Sequence, residues 1–205
     1  MGNSERFKPT YLLIAFNVIF YAYTSIVGGN FLQTSDQMIL IYGQVNAFIL
    51  HYPYWVWQLV TSMFVHVDIV HISGNMLFLL IFGLRAEEMF SLPEYLSIYL
   101  LSGLAGNLLT LVFLSPYTPS AGASGAIFGV FGATILYSRR SVGQSMIGAL
   151  IYAGFLLLLN SGANVNYFAH FGGLGAGLLI GYILASRRKN EMRYNIRYSY
   201  SRPLS

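Results

Sequence analysis

Two polar residues open apolar runs in this 205-residue chain. Ser124 does so within Gly122-Ala123-Ser124-Gly125, and His170 starts a second run. A polar side chain inside a membrane segment costs free energy and is a candidate functional site. Serine with histidine is the minimal pair for nucleophilic catalysis, the imidazole taking the hydroxyl proton as the oxygen attacks a carbonyl. The developing oxyanion then needs hydrogen-bond donors. A helix N-terminus supplies free N–H groups and a favourable dipole, and Ser124 is predicted to lie at one. His71 and Asn75 are four residues apart, hence on one helix face, and are candidates for further donors.

Other intramembrane chemistries fit the residue types poorly. A zinc protease of the His-Glu-x-x-His kind has no counterpart in the sequence. His66 and His71 are five apart and lack acidic or thiol partners, and there is no cysteine, so no metal or other cofactor is expected. Asp36 and Asp68 are the only aspartates, and both fall in a connecting segment rather than an apolar run. A Gly-x-Ser-x-Gly elbow is absent because Ala126 takes the last place. With no carboxylate near the candidates except Asp68, a Ser-His dyad is expected rather than a triad.

The elements that must position these residues follow from composition. The chain is 56% hydrophobic and 9% charged, against about 25% charged in an ordinary soluble domain. An all-α integral membrane protein is expected. Six apolar runs lie at roughly 10–27, 70–89, 94–114, 124–138, 144–160 and 167–186. The polar start of the chain lacks a cleavable-signal pattern, so the first run reads as a permanent span. Residues 28–69 form a long first external loop, whose stretch Tyr52-Pro53-Tyr54-Trp55-Val56-Trp57 has the composition of an interfacial aromatic anchor. Asn17 and Asn107 fall within apolar runs and are assigned to helix–helix hydrogen bonding. The expected organisation is a short cytoplasmic segment (1–9), a six-helix membrane domain (10–186) and a basic cytoplasmic tail (187–205).

Charge sets the orientation. Arg6 and Lys8 precede run one, Arg85 closes run two, Arg139 and Arg140 follow run four, and the other six basic residues follow run six. Six crossings place every Lys and Arg on one side, which the positive-inside rule makes cytoplasmic. Both termini are then inside. The net charge of +4 is therefore read as a topology signal, with contact to anionic lipid as a lesser role, and not as a nucleic-acid site.

Runs two, four and six would then all descend from the outer side, beginning with His71 and Asn75, Ser124, and His170. At 1.5 Å per residue, Ser124 lies ~22 Å from the cytoplasmic edge at Arg139, His170 ~26 Å from Arg187 and His71 ~21 Å from Arg85. In a hydrocarbon core about 30 Å thick, all three lie below the outer surface at one depth. Singly, such a serine bonds its own backbone and such a histidine packs; at matched depth on parallel helices the pattern favours chemistry. The stretch Ser115 to Gly122 carries Pro116 and Pro119 and is not regular helix. Irregular backbone at that depth implies surrounding protein or a water-filled cavity. Gly125 and Gly129 on run four, and Gly173, Gly177 and Gly181 on run six, form small-residue faces that permit close helix approach.

At these residues the chain resembles the rhomboid family of intramembrane serine proteases. The segments that carry the resemblance are Gly122-Ala123-Ser124-Gly125-Ala126-Ile127-Phe128-Gly129, His71-Ile72-Ser73-Gly74-Asn75, and Ala169-His170-Phe171-Gly172-Gly173 with Gly177, together with Gly83 and Glu87. The resemblance spans about residues 10–186 and is to the basic six-helix form found in prokaryotes. It implies Ser124 as nucleophile, His170 as general base, and an oxyanion site of His71, Asn75 and the Ser124 N–H. It places Phe128 against the histidine, and His66 matches a histidine of some members. Where the family often has Trp-Arg, this chain has Trp57-Gln58, which leaves the anchoring of the first loop open.

The implied activity is hydrolysis of peptide bonds in or near transmembrane helices of membrane-protein substrates. The site would open to the extracellular side of the cell membrane. Two non-enzymatic readings compete. A non-catalytic relative that binds membrane clients would be expected to have lost the serine or the histidine, and both are present. A small transporter would need inverted repeats, which the sequence does not display.

Overall fold

The computed structural model describes residues 9–142 and 165–200. Run five of the sequence reading, 144–160, lies outside the described residues. Eight α-helices are described: α1 (Pro9–Val27), α2 (Asp36–Tyr42), α3 (Asn46–His51), α4 (Gln58–Thr61), α5 (Ile69–Met89), α6 (Leu92–Phe113), α7 (Ser124–Val142) and α8 (Tyr167–Tyr200). A 3-10 turn, Pro53–Trp57, leads into α4. No strand is present among the described residues, only two isolated bridges, Gln33 with Asp68 and Gln44 with Ser120.

Among the described residues, four helices are long and apolar enough to cross a membrane: α1, α5, α6 and α8 as far as Arg188. Local signals explain their starts. Asp68 caps α5, its carboxylate accepting from the His71 N–H at 2.7 Å. Ser91 and Glu94 form a reciprocal capping box at α6, with Pro93 in the first turn, where its missing N–H costs nothing. Two helix ends differ from the apolar runs. Helix α7 continues through Arg139 and Arg140 to Val142, and α8 continues through the basic residues to Tyr200. Hydropathy falls at the lipid boundary, but backbone hydrogen bonding does not stop there.

Packing is organised around α7, which lies against α5, α6 and α8; α1 packs on α5. The tightest faces are those of glycine. A Cβ on Gly173 would lie 2.0 Å from the Gly125 carbonyl oxygen, and one on Gly177 would lie 2.0 Å from that of Gly129. A Cβ on Gly181 would lie 2.6 Å from the Ala133 carbonyl oxygen. Only hydrogen fits between these backbones, so the small-residue stripes read from the sequence do bring α7 and α8 together. A core of Leu79, Phe82, Tyr95, Ile98, Tyr99, Val130 and Phe131 fills the space between α5, α6 and α7.

The end of α5, the start of α6 and the later part of α7 are tied by Arg188. Its guanidinium donates to the Met89 carbonyl at 2.6 Å, the Tyr137 hydroxyl at 2.7 Å and the Glu94 carboxylate at 2.6 Å. One residue of the basic tail is thus a structural clasp on the ends of α5, α6 and α7.

The segment between α1 and α5 docks through buried amides. Gln58 is fully buried. Its side-chain carbonyl accepts from the Val45 N–H at 3.0 Å, and its amide donates to the Leu40 and Ile41 carbonyls at 2.8 and 3.1 Å. It thereby joins the end of α2 to the start of α3. Asn107 donates to the Leu59 carbonyl and the Ser62 hydroxyl at 2.8 and 2.9 Å. The bond to Leu59 is the helix–helix hydrogen bond expected of Asn107, joining α6 to the short helix α4 and, through Ser62, to the residue after it. Asn17 donates to the Leu13 carbonyl of its own helix at 2.7 Å, with the Tyr99 hydroxyl at 3.5 Å.

Candidate active site

Ser124 is the first residue of α7, and His170 lies in the first turn of α8. His170 Nε2 and Ser124 Oγ are 2.8 Å apart, within hydrogen-bond distance. The approach follows from the glycine contacts: Gly125 is next to the serine, and its carbonyl meets Gly173, less than one turn past the histidine. Phe128 stacks on the His170 ring with centroids 4.6 Å apart and planes 29° apart. Tyr167 meets the same ring edge-on at 6.3 Å. The imidazole is therefore held by two aromatic rings, and His170 is 4% exposed. Its Nδ1 is buried and has no hydrogen-bond partner among the described residues. Among the described residues, no carboxylate bonds to it from behind.

The segment before Ser124 is irregular, as its prolines require, and it is pinned from below. The Gly122 N–H donates to the Ser62 carbonyl at 2.8 Å. The Ala123 N–H points to His66 Nε2 at 3.5 Å. Gly122 has φ of +133°, a conformation that residues with a Cβ rarely adopt. A Cβ there would also lie 2.9 Å from His71 Nε2. Absence of a side chain at Gly122 thus lets the His71 ring come up to the serine loop.

His71 and Asn75 occupy the first turns of α5 and face the same region. Asn75 lines a small cleft with Ser124, Phe78, Phe82, Ile127, Phe128 and Phe131. Its amide donates to the His71 carbonyl at 2.9 Å; a primary amide has two N–H donors, so one remains for another acceptor. Ser124, as the first helical residue, has a backbone N–H with no partner one turn earlier. The four sequence candidates therefore meet at one place, at the N-terminal ends of α5, α7 and α8.

His66 was visible in the sequence only through family resemblance, and it proves integral. It is fully buried, and its ring lies 5.2 Å from that of His71. Burial, with the neighbouring His71 adding to it, pushes the His66 imidazole down to about 3. Its Nδ1 lies 3.2 Å from the Phe64 carbonyl, which can only accept. The proton therefore sits on Nδ1, and Nε2 is left to accept from Ala123. Asn166, just before α8, is a second residue that sequence reasoning missed. Its amide donates to the Ser120 and Thr110 hydroxyls at 2.7 and 2.8 Å. No group of three or more metal-ligating side chains occurs among the described residues.

The fold and site define a polytopic helical membrane protein with a serine and a histidine joined at the starts of two helices. A sequence model of the Rhomboid domain matches residues 54–187, and the chain belongs to the rhomboid family. It is 36% identical to the rhomboid protease GluP of Bacillus subtilis (strain 168) over 178 residues, covering 83% of this chain and 34% of that protein. It is 37% identical to the mitochondrial RHOMBOID-like protein 6 of Arabidopsis thaliana over 134 residues, 62% of this chain and 43% of that one. Rhomboid-like protease 3 of Toxoplasma gondii is 33% identical over 132 residues, with 60% and 50% covered. The chain spans about a third to a half of the length of these curated relatives.

Proposed function

We propose that this protein is an intramembrane serine endopeptidase that cleaves peptide bonds in or near transmembrane helices of other membrane proteins. The observation that carries the reading is the 2.8 Å contact between His170 Nε2 and Ser124 Oγ, isolated from any carboxylate among the described residues. In this reading the Ser124 hydroxyl donates to Nε2, and His170 takes the proton as Oγ attacks the scissile carbonyl. The oxyanion is met by the Ser124 N–H, the free Asn75 amide hydrogen and the His71 side chain. His170 then protonates the leaving amine, and water hydrolyses the acyl-enzyme by the same steps reversed.

The cleft between α5 and α7 has five apolar side chains beside Ser124 and Asn75, which favours an apolar polypeptide over a soluble one. A helical substrate must unwind before its carbonyls are accessible, so glycine and other weak helix formers near the outer leaflet are expected in substrates. The placement of all eleven basic residues supports six crossings with both termini cytoplasmic and the site facing the outer side.

The test is Ser124→Ala in purified protein with a model transmembrane substrate. The expected result is a folded protein without cleavage; retained cleavage refutes the dyad. A fluorophosphonate probe should label Ser124 in the unmodified protein. Absence of labelling would favour the alternative role of a non-catalytic binder of membrane clients.

A further inference from the structure

Asn166 uses both of its amide hydrogens and its side-chain oxygen at once. Its side-chain oxygen accepts from the Ala169 N–H at 3.2 Å, which is an N-cap on α8. Its amide hydrogens go to the Ser120 hydroxyl at 2.7 Å and the Thr110 hydroxyl at 2.8 Å. Capping needs only the oxygen, and serine or aspartate would do it as well. The two donated bonds have another consequence, because both acceptors are fixed. Thr110 is fully buried and donates to the Gly106 carbonyl at 2.9 Å. Ser120 is held by a reciprocal backbone pair with Gln44, at 2.8 and 2.9 Å.

The spacing gives this bridge its meaning. Asn166 precedes His170 by four residues, and Ser120 precedes Ser124 by four. One planar amide therefore joins the segment that ends in the serine to the helix that begins with the histidine. The glycine faces set how closely α7 and α8 approach; the bridge sets where α8 starts along that approach.

We infer that Asn166 is a positioning residue that fixes the register of His170 against Ser124 through Ser120, an inference that rests on the dyad reading. Asn166→Ser keeps an N-cap but is too short to reach Ser120. Ser120→Ala removes the acceptor without touching α8. Each variant should lower kcat for a model transmembrane substrate about tenfold with little change in KM, since a misplacement of a fraction of an ångström is enough. The rate of fluorophosphonate labelling should fall in parallel. The double variant should be no slower than the slower single one, because both remove the same bond.

Three results overturn the inference: kcat within twofold of the unmodified protein in either single variant, loss confined to KM, or losses that multiply in the double variant. A failure of the dyad reading is recognised separately, as an unmodified protein that the probe does not label. If Asn166→Ser does not fold, Ser120→Ala alone decides the matter by the same kcat and KM criteria.

Discussion

Gly173→Ala is the sharpest perturbation that the geometry offers. The added Cβ would stand 2.0 Å from the Gly125 carbonyl oxygen and 2.7 Å from its carbon, both backbone atoms that no rotamer change can remove. Ordinary van der Waals contact begins near 3.4 Å. The two helices must therefore part by about 1.4 Å at this point, at a cost of about 1–3 kcal/mol for overpacking. Gly125 follows the serine directly, and His170 is one turn from Gly173. If the separation carries to the pair, the 2.8 Å contact opens to about 4 Å, beyond a hydrogen bond. A misplacement of that size is worth about a hundredfold in rate. Gly175→Ala is the control, because nothing lies within 4 Å of its Cβ position. It changes helix propensity equally, favourably by about 1 kcal/mol, without touching α7. Initial cleavage rates and the time course of fluorophosphonate labelling, with thermal denaturation in detergent alongside, measure both effects. Refutation would be a folded Gly173→Ala protein that reacts as fast as Gly175→Ala.

Other expectations follow from single contacts. Gly122→Ala combines a forbidden φ with a clash on the His71 ring, so labelling of Ser124 should fall at least tenfold, by the cost of misplacing the serine loop; unchanged labelling would separate Gly122 from the site. Gln58→Leu strands the Val45 N–H and the Leu40 and Ile41 carbonyls, and should destabilise the protein by about 3 kcal/mol, read as a lowered denaturation midpoint. Acid should destabilise the protein through His66. Its folded-state pKa of about 3 lies below the unfolded value of about 6.5, so the unfolded chain takes up a proton that the folded chain refuses. The stability present above pH 6.5 is lost as pH falls towards 3, by about 2 kcal/mol at pH 5 from this group alone. His66→Gln should flatten the pH dependence of the denaturation midpoint between pH 7 and 5.

The parts of the site that were legible in the sequence are those written in local or periodic signals. The apolar runs that begin near 70 and 94 start within a residue or two of the observed α5 and α6, at Ile69 and Leu92. Glycines at intervals of four announced the α7–α8 contact, and similar distances from basic residues matched Ser124 with His170, which the structure brings to 2.8 Å. What was not legible is long-range and polar. Asn107 lies 45 residues from Ser62, and Asn166 lies 46 from Ser120. No period links such pairs, and each amide looks alike whether it meets a helix, a loop or its own backbone. Gln58 shows the same limit, since nothing in its neighbours announces that it anchors the loop from a buried position.

The contact between α7 and α8 has a thermal consequence. Backbone meets backbone there, so few side-chain rotamers exist to be frozen on folding or released on warming. The separation of the backbones that carry Ser124 and His170 is set by atomic radii rather than by a population of conformers. Heating should therefore change the rate of reaction at Ser124 smoothly, through the ordinary activation barrier, until the helices separate as a unit.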